Sequence, residues 1–290
     1  MARRLIVAAD DFGMSPGVNA AIIRAHRDGI LTDTSLMVNG QAFAQAVDLA
    51  RANPTLGVGL HLMLVQGRAA LPPARIPLLV GSDGLFGNTP VVAGMRYFFT
   101  PGVRAQLRSE ICAQLDKFVA TGLPLSHVDG HLTIHMQPVV LDLLIELRDR
   151  YGIRAVRLPR EPLLRALRYD HRHLLRKLFE ATSFNALSRW AVPRLDRAGV
   201  RYPQRMFGLH QTGQISEDYL LGVLGALPPG VSEVYCHPAL LDDEARRWRP
   251  ASYASEQELA ALTSPRVRTA IEEAGIERIT YRDLVSDRQN

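Results

Sequence analysis

Residues 5–13 read LIVAADDFG, a continuous apolar run that ends in the two carboxylates Asp10 and Asp11 before a glycine. Such a run is typical of a strand in a parallel sheet, because helices cover both faces of that sheet and bury every side chain. Ser15 and Pro16 follow as an N-cap and a first helical residue. The stretch therefore predicts a buried strand that places both carboxylates at its carboxyl end, followed by a helix.

The alternation of strand and helix continues along the chain. Further strands are predicted at 34–38, 56–64, 125–135, 153–158, 206–209, 231–236 and 276–281. Helices are predicted at 18–26, 42–52, 104–121, 139–151, 163–182 and 264–273. Strands that alternate with helices are typical of parallel βα units, and 290 residues is a usual length for one α/β barrel. Residues 1–290 are therefore predicted to form a single α/β domain.

Composition narrows the class of protein. Hydrophobic residues make up 47% and charged residues 22%, which is ordinary for a globular protein and excludes a disordered chain. No stretch approaches the ~20 apolar residues of a membrane span, and aspartates interrupt the first apolar run too early for a signal peptide. The two cysteines, Cys112 and Cys236, form no disulfide framework. The expected location is the cytoplasm.

Two segments interrupt the regular alternation. Residues 66–102 are rich in proline and glycine and are predicted to form a lid or binding loop, since structureless loops of this length are otherwise uncommon. The second insert covers residues 160–205. It lies in a region, 154–205, that contains thirteen Arg or Lys against four Asp or Glu. This local excess of positive charge indicates an anionic partner.

The helix predicted at 163–182 has two interpretations, which the sequence leaves open. It either packs on the barrel with a solvated basic face, or it lies at a membrane surface where its arginines meet anionic lipid headgroups. The second interpretation adds peripheral contact with the inner face of the membrane to the expected cytoplasmic location. The basic face is a stripe of four residues: Arg165, Arg168, Arg172 and Arg176.

A second stretch, residues 126–135, contains three of the nine histidines in the chain. If residues 125–135 are extended, alternate side chains project to one face of the strand. One histidine on a strand is more often a structural residue than a metal ligand. Three histidines in register with an aspartate favour a functional site, and the most specific interpretation is a metal site. The shared face contains His127, Asp129, His131, Thr133 and His135.

Several acidic and histidine residues lie at or just beyond the ends of predicted strands. In a closed or nearly closed parallel barrel, these ends converge on one face, where active sites are built. Asp and His ligands with an open position for water match a catalytic divalent metal site, with Zn²⁺ favoured and Mg²⁺ or another divalent ion as alternatives. The candidate residues are Asp10, Asp11, His61, His131, His210 and His237.

The chain resembles a known family at five motifs, which span most of its length in the family's order. The motifs are Ala9-Asp10-Asp11-Phe12-Gly13, Val38-Asn39-Gly40, Gly59-Leu60-His61, His127-Val128-Asp129-Gly130-His131 and Cys236-His237-Pro238. In these motifs the chain resembles the YdjC-like carbohydrate deacetylases. The resemblance implies a single distorted (β/α) barrel of the TIM type with long lid or insert segments. It also implies metal-dependent removal of an N-acetyl group from a sugar.

The same resemblance implies Asp11, His61 and His131 as metal ligands and Asp10 as the catalytic base. A water molecule on the ion is expected to attack the acetyl carbonyl while Asp10 accepts its proton. Adjacent strand residues face opposite ways, so Asp10 and Asp11 share a site only where the strand breaks, and Gly13 makes a break plausible.

Further residues are expected to support the reaction. His237 is the candidate acid that protonates the departing amine, since histidine titrates in the useful range; the alternative is a structural His-Pro turn. His127 and Asp129 are expected to orient His131, with orientation of the base as a second option. Arg157 binds substrate or partners an aspartate, and the sequence leaves both open. The candidate substrate-binding residues are His135, Arg157 and His210.

Within the family, the chain resembles most the member associated with hopanoid biosynthesis, because residues 160–205 are long, basic and apolar. This implies a glycolipid substrate such as an N-acetylglucosaminyl hopanoid. Two alternatives are a metal-dependent phosphoesterase and a non-catalytic protein that binds a membrane or another anion. No nucleic-acid-binding motif is present, and the oligomeric state is left open.

Overall fold

The computed structural model describes residues 2–87, 89–162 and 174–287 and, for residues 174–176, the backbone only. In this part of the chain, seven parallel strands form one sheet that curls into a half-barrel. Their order across the sheet is β4-β3-β2-β1-β6-β5, and β7 pairs with β1. The strands are β1 (Arg3–Phe12), β2 (Asp33–Leu36), β3 (Gly57–Leu62), β4 (Leu125–Gly130), β5 (Arg205–Phe207), β6 (Gly230–Cys236) and β7 (Glu277–Arg278).

Helices follow most of these strands and cover the outside of the sheet. The described helices are α1 (Pro16–Arg27), α2 (Phe43–Arg51), α3 (Pro90–Phe99), α4 (Val103–Val119), α5 (Pro138–Tyr151), α6 (Leu174–Ala198), α7 (Glu217–Gly225), α8 (Asp243–Trp248), α9 (Ser255–Leu262), α10 (Pro265–Glu273) and α11 (Tyr281–Ser286). As predicted, α1 begins at Pro16, and the Ser15 side chain accepts from the N–H of Val18. None of the described helices has the length and apolarity that crossing a bilayer requires.

Residues 154–160 connect the two edges of the half-barrel. Val128 of β4 donates its N–H to the carbonyl of Ala155 (3.0 Å), and Met206 of β5 donates to the carbonyl of Arg160 (3.0 Å). The strand predicted at 153–158 is thus reduced to isolated bridges. Pro159, which has no N–H to donate, prevents a regular ladder there. The resulting architecture is consistent with the expected distorted barrel.

Two strand predictions were too long. The strand predicted at 125–135 ends at Gly130, because the chain turns back tightly: a Cβ at Gly130 would lie 3.0 Å from the N atom of His135. Residues 131–136 form a 3₁₀ turn in which Leu132 and Thr133 have positive φ angles. The predicted alternation therefore stops before Thr133 and His135.

The strand predicted at 276–281 has only two residues, 277–278. Thr280 and Asp283 form a capping box, in which each side chain accepts a hydrogen bond from the other residue's backbone N–H. This cap starts α11 at Tyr281 and ends the extended segment.

Each of the two inserts contains a helix, α3 in the first and α6 in the second. In residues 66–87, two antiparallel bridges join Arg68 to Leu85 and Val80 to Phe86, and α3 follows. In the second insert, residues 163–173 lie outside the described residues, and so do Arg165, Arg168 and Arg172 of the predicted basic stripe. The side chain of Arg176 is also outside the description. The later part of this insert forms α6, which contacts α5 and the turn at residues 131–136.

Asp33 is a buried carboxylate at the amino end of β2, away from the strand ends that carry the candidate site. Its Oδ1 accepts from the backbone N–H of Tyr281 (3.2 Å), whereas its buried Oδ2 has no hydrogen-bond partner. Burial raises the pKa of Asp33 from 3.8 to about 6. Protonated Asp33 therefore stabilises the folded state. Its contribution to the free energy of unfolding is fully present below pH 3.8 and is lost as the pH rises through 6.

We expect Asp33→Asn to remove this pH dependence. Between pH 4 and pH 7.5, the free energy of unfolding of the variant should improve relative to the wild type by about 2–3 kcal/mol. Urea denaturation at both pH values measures this difference. Asp48→Asn, at a side chain 78% exposed, is the control and should show no such change. Equal pH dependence in the wild type and Asp33→Asn would contradict the prediction.

Candidate metal centre and active site

The end of β1 brings two adjacent carboxylates into one site. The register between β1 and β2 shifts between Ala9 and Phe12, and Asp11 has a left-handed backbone with φ 71°. Aspartate is one of the few residues other than glycine that tolerates this conformation. The break expected near Gly13 therefore begins at Asp11 itself, so Asp10 and Asp11 both face the carboxyl end of the barrel.

Asp11 lies between two histidines from neighbouring strands. Its Oδ1 is 3.5 Å from Nε2 of His61 on β3 and 3.4 Å from Nδ1 of His131, which directly follows β4. Ligand atoms of all three residues lie within 4.8 Å of one another. The buried Oδ1 of Asp11 has no hydrogen-bond partner, as expected for an atom that faces an ion. One carboxylate and two imidazoles suit a divalent transition metal, so the residues fit the expected ion.

Contacts at Nδ1 fix the orientation of the His61 ring. Its Nδ1 lies 2.8 Å from Oδ1 of Asp129 and 3.0 Å from Oγ of Ser35, which leaves Nε2 for the ligand cluster. Burial would lower the pKa of His61, but the charge and hydrogen bond of Asp129 raise it to about 9. A carboxylate that accepts a hydrogen bond from the other ring nitrogen makes a histidine a stronger metal ligand. Asp129 thus supports His61, whereas the sequence had assigned it to His131.

Asp10 is held by Arg157, the arginine that the sequence assigned either to the substrate or to an aspartate. Nη1 of Arg157 lies 2.7 Å from Oδ2 of Asp10 and 2.7 Å from Oδ2 of Asp129, and Nε lies 2.9 Å from Oε1 of Glu233. Arg157 therefore partners aspartates, although it also lines the cavity. The contact fixes Asp10 beside the ligand cluster but outside it.

A second group could also hold an ion, because ligand atoms of Asp10, His61 and Asp129 lie within 4.8 Å of one another. Arg157 already contacts both carboxylates of this group at 2.7 Å. A cation there would face a guanidinium that contacts both carboxylates. In the Asp11 group, Arg249 contacts only Oδ2, at 3.1 Å, and leaves Oδ1 without a hydrogen bond. We therefore favour the group that contains Asp11.

His237 follows β6 and lies on the other side of Asp10. Its Nε2 is 3.9 Å from Oδ2 of Asp10, and its ring packs against Tyr235 and Tyr253. Burial lowers the pKa of His237 to about 4, so the ring is neutral at pH 7. Its backbone N–H donates to the buried carboxyl group of Glu258.

A cavity of about 1540 Å³ opens above these residues. The residues that the sequence singled out and that line it are Asp10, Asp11, His61, His131, Arg157, His210 and His237. His135 is among the candidate substrate contacts, but it is fully buried and its Nε2 meets the carbonyl of Arg157 at 3.0 Å, so it lies below the cavity floor. His127 is also buried and stacks on Tyr281.

Sequence reasoning missed Arg249 and Glu258. Arg249 donates from Nη2 to Oδ2 of Asp11 (3.1 Å), and Glu258 accepts from the N–H groups of His237 and Ile215. No local motif marks either residue, since both act on partners from distant parts of the chain. Only the folded arrangement identifies them as supports of the site.

Together, the curled parallel sheet and the Asp-His-His cluster at its strand ends define an α/β half-barrel protein with a candidate metal centre. The chain belongs to the family of YdjC-like proteins, whose sequence profile matches residues 4–273.

Two relatives and one solved structure are similar to the chain over almost its whole length. The chain is 32% identical over 287 residues to the carbohydrate deacetylase of Geobacillus stearothermophilus, covering 98% of this chain and 99% of that protein. It is 31% identical over 288 residues to the chitooligosaccharide deacetylase of Salmonella schwarzengrund, covering 98% and 100%. The fold is similar to a crystal structure from Enterococcus faecalis V583, of a protein named for cellobiose-phosphate cleavage, with a TM-score of 0.77, 27% identity and coverage of 98% and 100%.

Proposed function

We propose that this protein is a carbohydrate deacetylase that hydrolyses the N-acetyl group of an N-acetylated sugar in a metal-dependent reaction. The observation that carries the proposal is the unpartnered Oδ1 of Asp11, which lies between His61 and His131 beside the fixed carboxylate of Asp10. Relatives similar over almost the whole chain are named as carbohydrate and chitooligosaccharide deacetylases.

In this proposal, Asp11, His61 and His131 hold one divalent ion, with Zn²⁺ as the first choice and Mg²⁺ as an alternative. When bound, the ion supplies Lewis acidity toward the acetyl oxygen and lowers the pKa of water. Asp10, oriented by Arg157, accepts the proton of the attacking water.

His237 protonates the departing amine. Because its ring is neutral at pH 7, it must first gain a proton. Asp10, which has taken a proton from the attacking water, passes it from Oδ2 to Nε2 of His237 through one water molecule, because the two atoms lie 3.9 Å apart. The balance of the reaction is simple: water adds to the acetyl carbon, the C–N bond breaks, and the products are acetate and a free amine. Asp10 and His237 only carry the proton from the water to the amine.

The experiment that tests the proposed activity is a release screen with several divalent metals. The panel contains N-acetylglucosamine, chito-oligosaccharides, lipid-linked N-acetylglucosamine and sugar phosphates. We expect acetate and free amine in equal amounts from at least one N-acetylated sugar. Release of phosphate without acetate would replace the proposal with a phosphoesterase, and no release of either product would favour a binding protein.

The outer wall of the cavity supports a more specific substrate. Most side chains of α3 and α6 that line it are apolar, and four of them on α3 are strongly exposed: Val91 61%, Met95 58%, Phe98 58% and Phe99 72%. The polar lining residues of α6 are Glu180 and Ser183. Phe179 of α6, 66% exposed, continues this surface at the cavity rim. We propose that the sugar carries a lipid that packs on this wall, such as an N-acetylglucosaminyl hopanoid drawn from a membrane surface.

We expect the double variant Phe98→Ser/Phe99→Ser to lower kcat/KM for a lipid-linked N-acetylglucosamine by at least about 10-fold, because each ring contributes roughly 1 kcal/mol or more of apolar contact. A soluble chito-oligosaccharide should be turned over within about twofold of the wild type. Steady-state acetate release measures both.

Val119→Ser is the matched control for this prediction, since Val119 is 54% exposed on α4 and lies outside the cavity lining. It should leave both substrates unaffected. If the double variant lowered turnover of both substrates equally, or of neither, the glycolipid would no longer be supported.

A further inference from the structure

Arg249 lies beside the metal-ligand cluster and lines the cavity, and the reaction proposed above gives it no role. It directly follows α8, and its side chain is only 3% exposed. A buried guanidinium is unfavourable unless its charge is balanced and its N–H groups find acceptors. The acceptors that surround the Arg249 guanidinium therefore indicate the role of this residue.

The guanidinium connects three separate parts of the chain. Nη1 donates to the carbonyl of His237 (2.6 Å) and to Oγ of Ser255 (3.0 Å), with Pro238 O at 3.3 Å. Nη2 donates to Oδ2 of Asp11 at 3.1 Å. One side chain thus joins the carboxyl ends of β1 and β6 to the start of α9.

The contact with Arg249 gives the two carboxylate oxygens of Asp11 different surroundings. Oδ2 is engaged by Arg249, whereas Oδ1 has no hydrogen bond and faces His61 and His131. The left-handed backbone of Asp11 sets the direction of its Cβ, but the carboxylate can still rotate about its side-chain bonds. The bond from Arg249 restricts this rotation.

We propose that Arg249 is a positioning residue for the metal ligand Asp11. By engaging Oδ2, it leaves a single oxygen for the ion and keeps a coordination position open for the substrate. The proposal rests on the proposed function only for the catalytic use of the ion. Its claim about metal binding stands on the contacts of Arg249 and can be tested without turnover.

The test measures metal affinity rather than activity. Arg249→Gln removes the charge and shortens the side chain, so we expect Zn²⁺ to bind about 10–100-fold more weakly in competition with a chromophoric chelator. The visible spectrum of the Co²⁺-loaded variant should also change, because the carboxylate of Asp11 is no longer held. Arg249→Lys retains the charge and a donor, so its affinity should lie between the wild type and Arg249→Gln.

Ser255→Ala separates positioning from general support. It removes a contact of Arg249 that does not involve Asp11, so its Zn²⁺ affinity should stay within about threefold of the wild type, whatever its Tm. The exposed Arg247→Gln is the surface control. Circular dichroism confirms folding below the Tm of each variant, and Arg249→Lys carries the test alone if Arg249→Gln does not fold.

Two results would overturn the proposal. One is wild-type Zn²⁺ affinity in the folded Arg249 variants, and the other is an equal loss of affinity in Ser255→Ala. A wild-type protein that binds Zn²⁺ but releases no acetate would remove the proposed function while leaving the role of Arg249 intact. The two inferences can therefore fail separately.

Discussion

Asp10→Asn is expected to reduce acetate release by about 10²–10⁴-fold while the protein still binds one equivalent of metal. An amide cannot accept the proton of the attacking water, and positioned general bases contribute roughly 10²–10⁴-fold. The amide oxygen can still accept from Arg157, which lies 2.7 Å from Oδ2 of Asp10, so the surroundings should be preserved. The measurements are kcat and the metal content of the purified variant.

Asp48→Asn makes the same chemical change at a side chain 78% exposed and should retain full activity and metal. The informative failure would be loss of metal from Asp10→Asn. That result would place the ion in the second group of ligand atoms, with Asp10, His61 and Asp129, and would change the assigned roles of both aspartates.

His131→Ala has the second largest expected effect, because it removes one of three ligands. We expect metal affinity to fall by more than about 100-fold, since even groups that only support a ligand typically contribute 10–100-fold. Acetate release should be lost together with the ion. Metal content after dialysis and kcat at excess metal measure the two effects.

The matched control is His26→Ala, since His26 lies in the last turn of α1 and contacts Thr55 and the carbonyl of Leu31 away from the cavity. It should keep both the ion and the activity. Stoichiometric metal in dialysed His131→Ala would contradict the whole site.

The fold was predictable where local signals are strong. The apolar run at 5–13, the N-cap at Ser15 and the Gly-Leu-His end of β3 each specify a structure within a few residues. Strand ends that carry Asp or His were identified in the same way, because parallel topology brings such ends to one face. This reasoning also placed Asp11 and His61 on one edge, although they are fifty residues apart.

Other features depend on long-range contacts and could not be predicted. Asp129 was assigned to His131, which is near in sequence, yet it contacts His61 across the β3–β4 pair. The chain has 34 lysines and arginines, of which only two are lysines, so the composition does not distinguish Arg249 from the other arginines. Arg157 and Arg249 acquire their roles only when distant carboxylates reach them.

The end of β4 could not be predicted for a different reason. Residues 131–135 keep a strand-like alternation, but the tight approach of His135 to Gly130 forces positive φ angles at Leu132 and Thr133. The packing of His135 against Gly130 thus prevents the strand that the alternation of residues 131–135 predicts. The assignment of residues 1–290 to one domain and the membrane contact of residues 160–205 stay predictions.

The most direct test of a metal-dependent deacetylase compares one preparation in three states: as purified, stripped by a chelator, and reloaded with Zn²⁺. The measurement is acetate and free amine released from an N-acetylated sugar that the screen identifies. The account predicts equal amounts of both products, loss of at least about 10²-fold on stripping, and recovery on reloading. Undiminished acetate release from protein shown to be free of metal would contradict it.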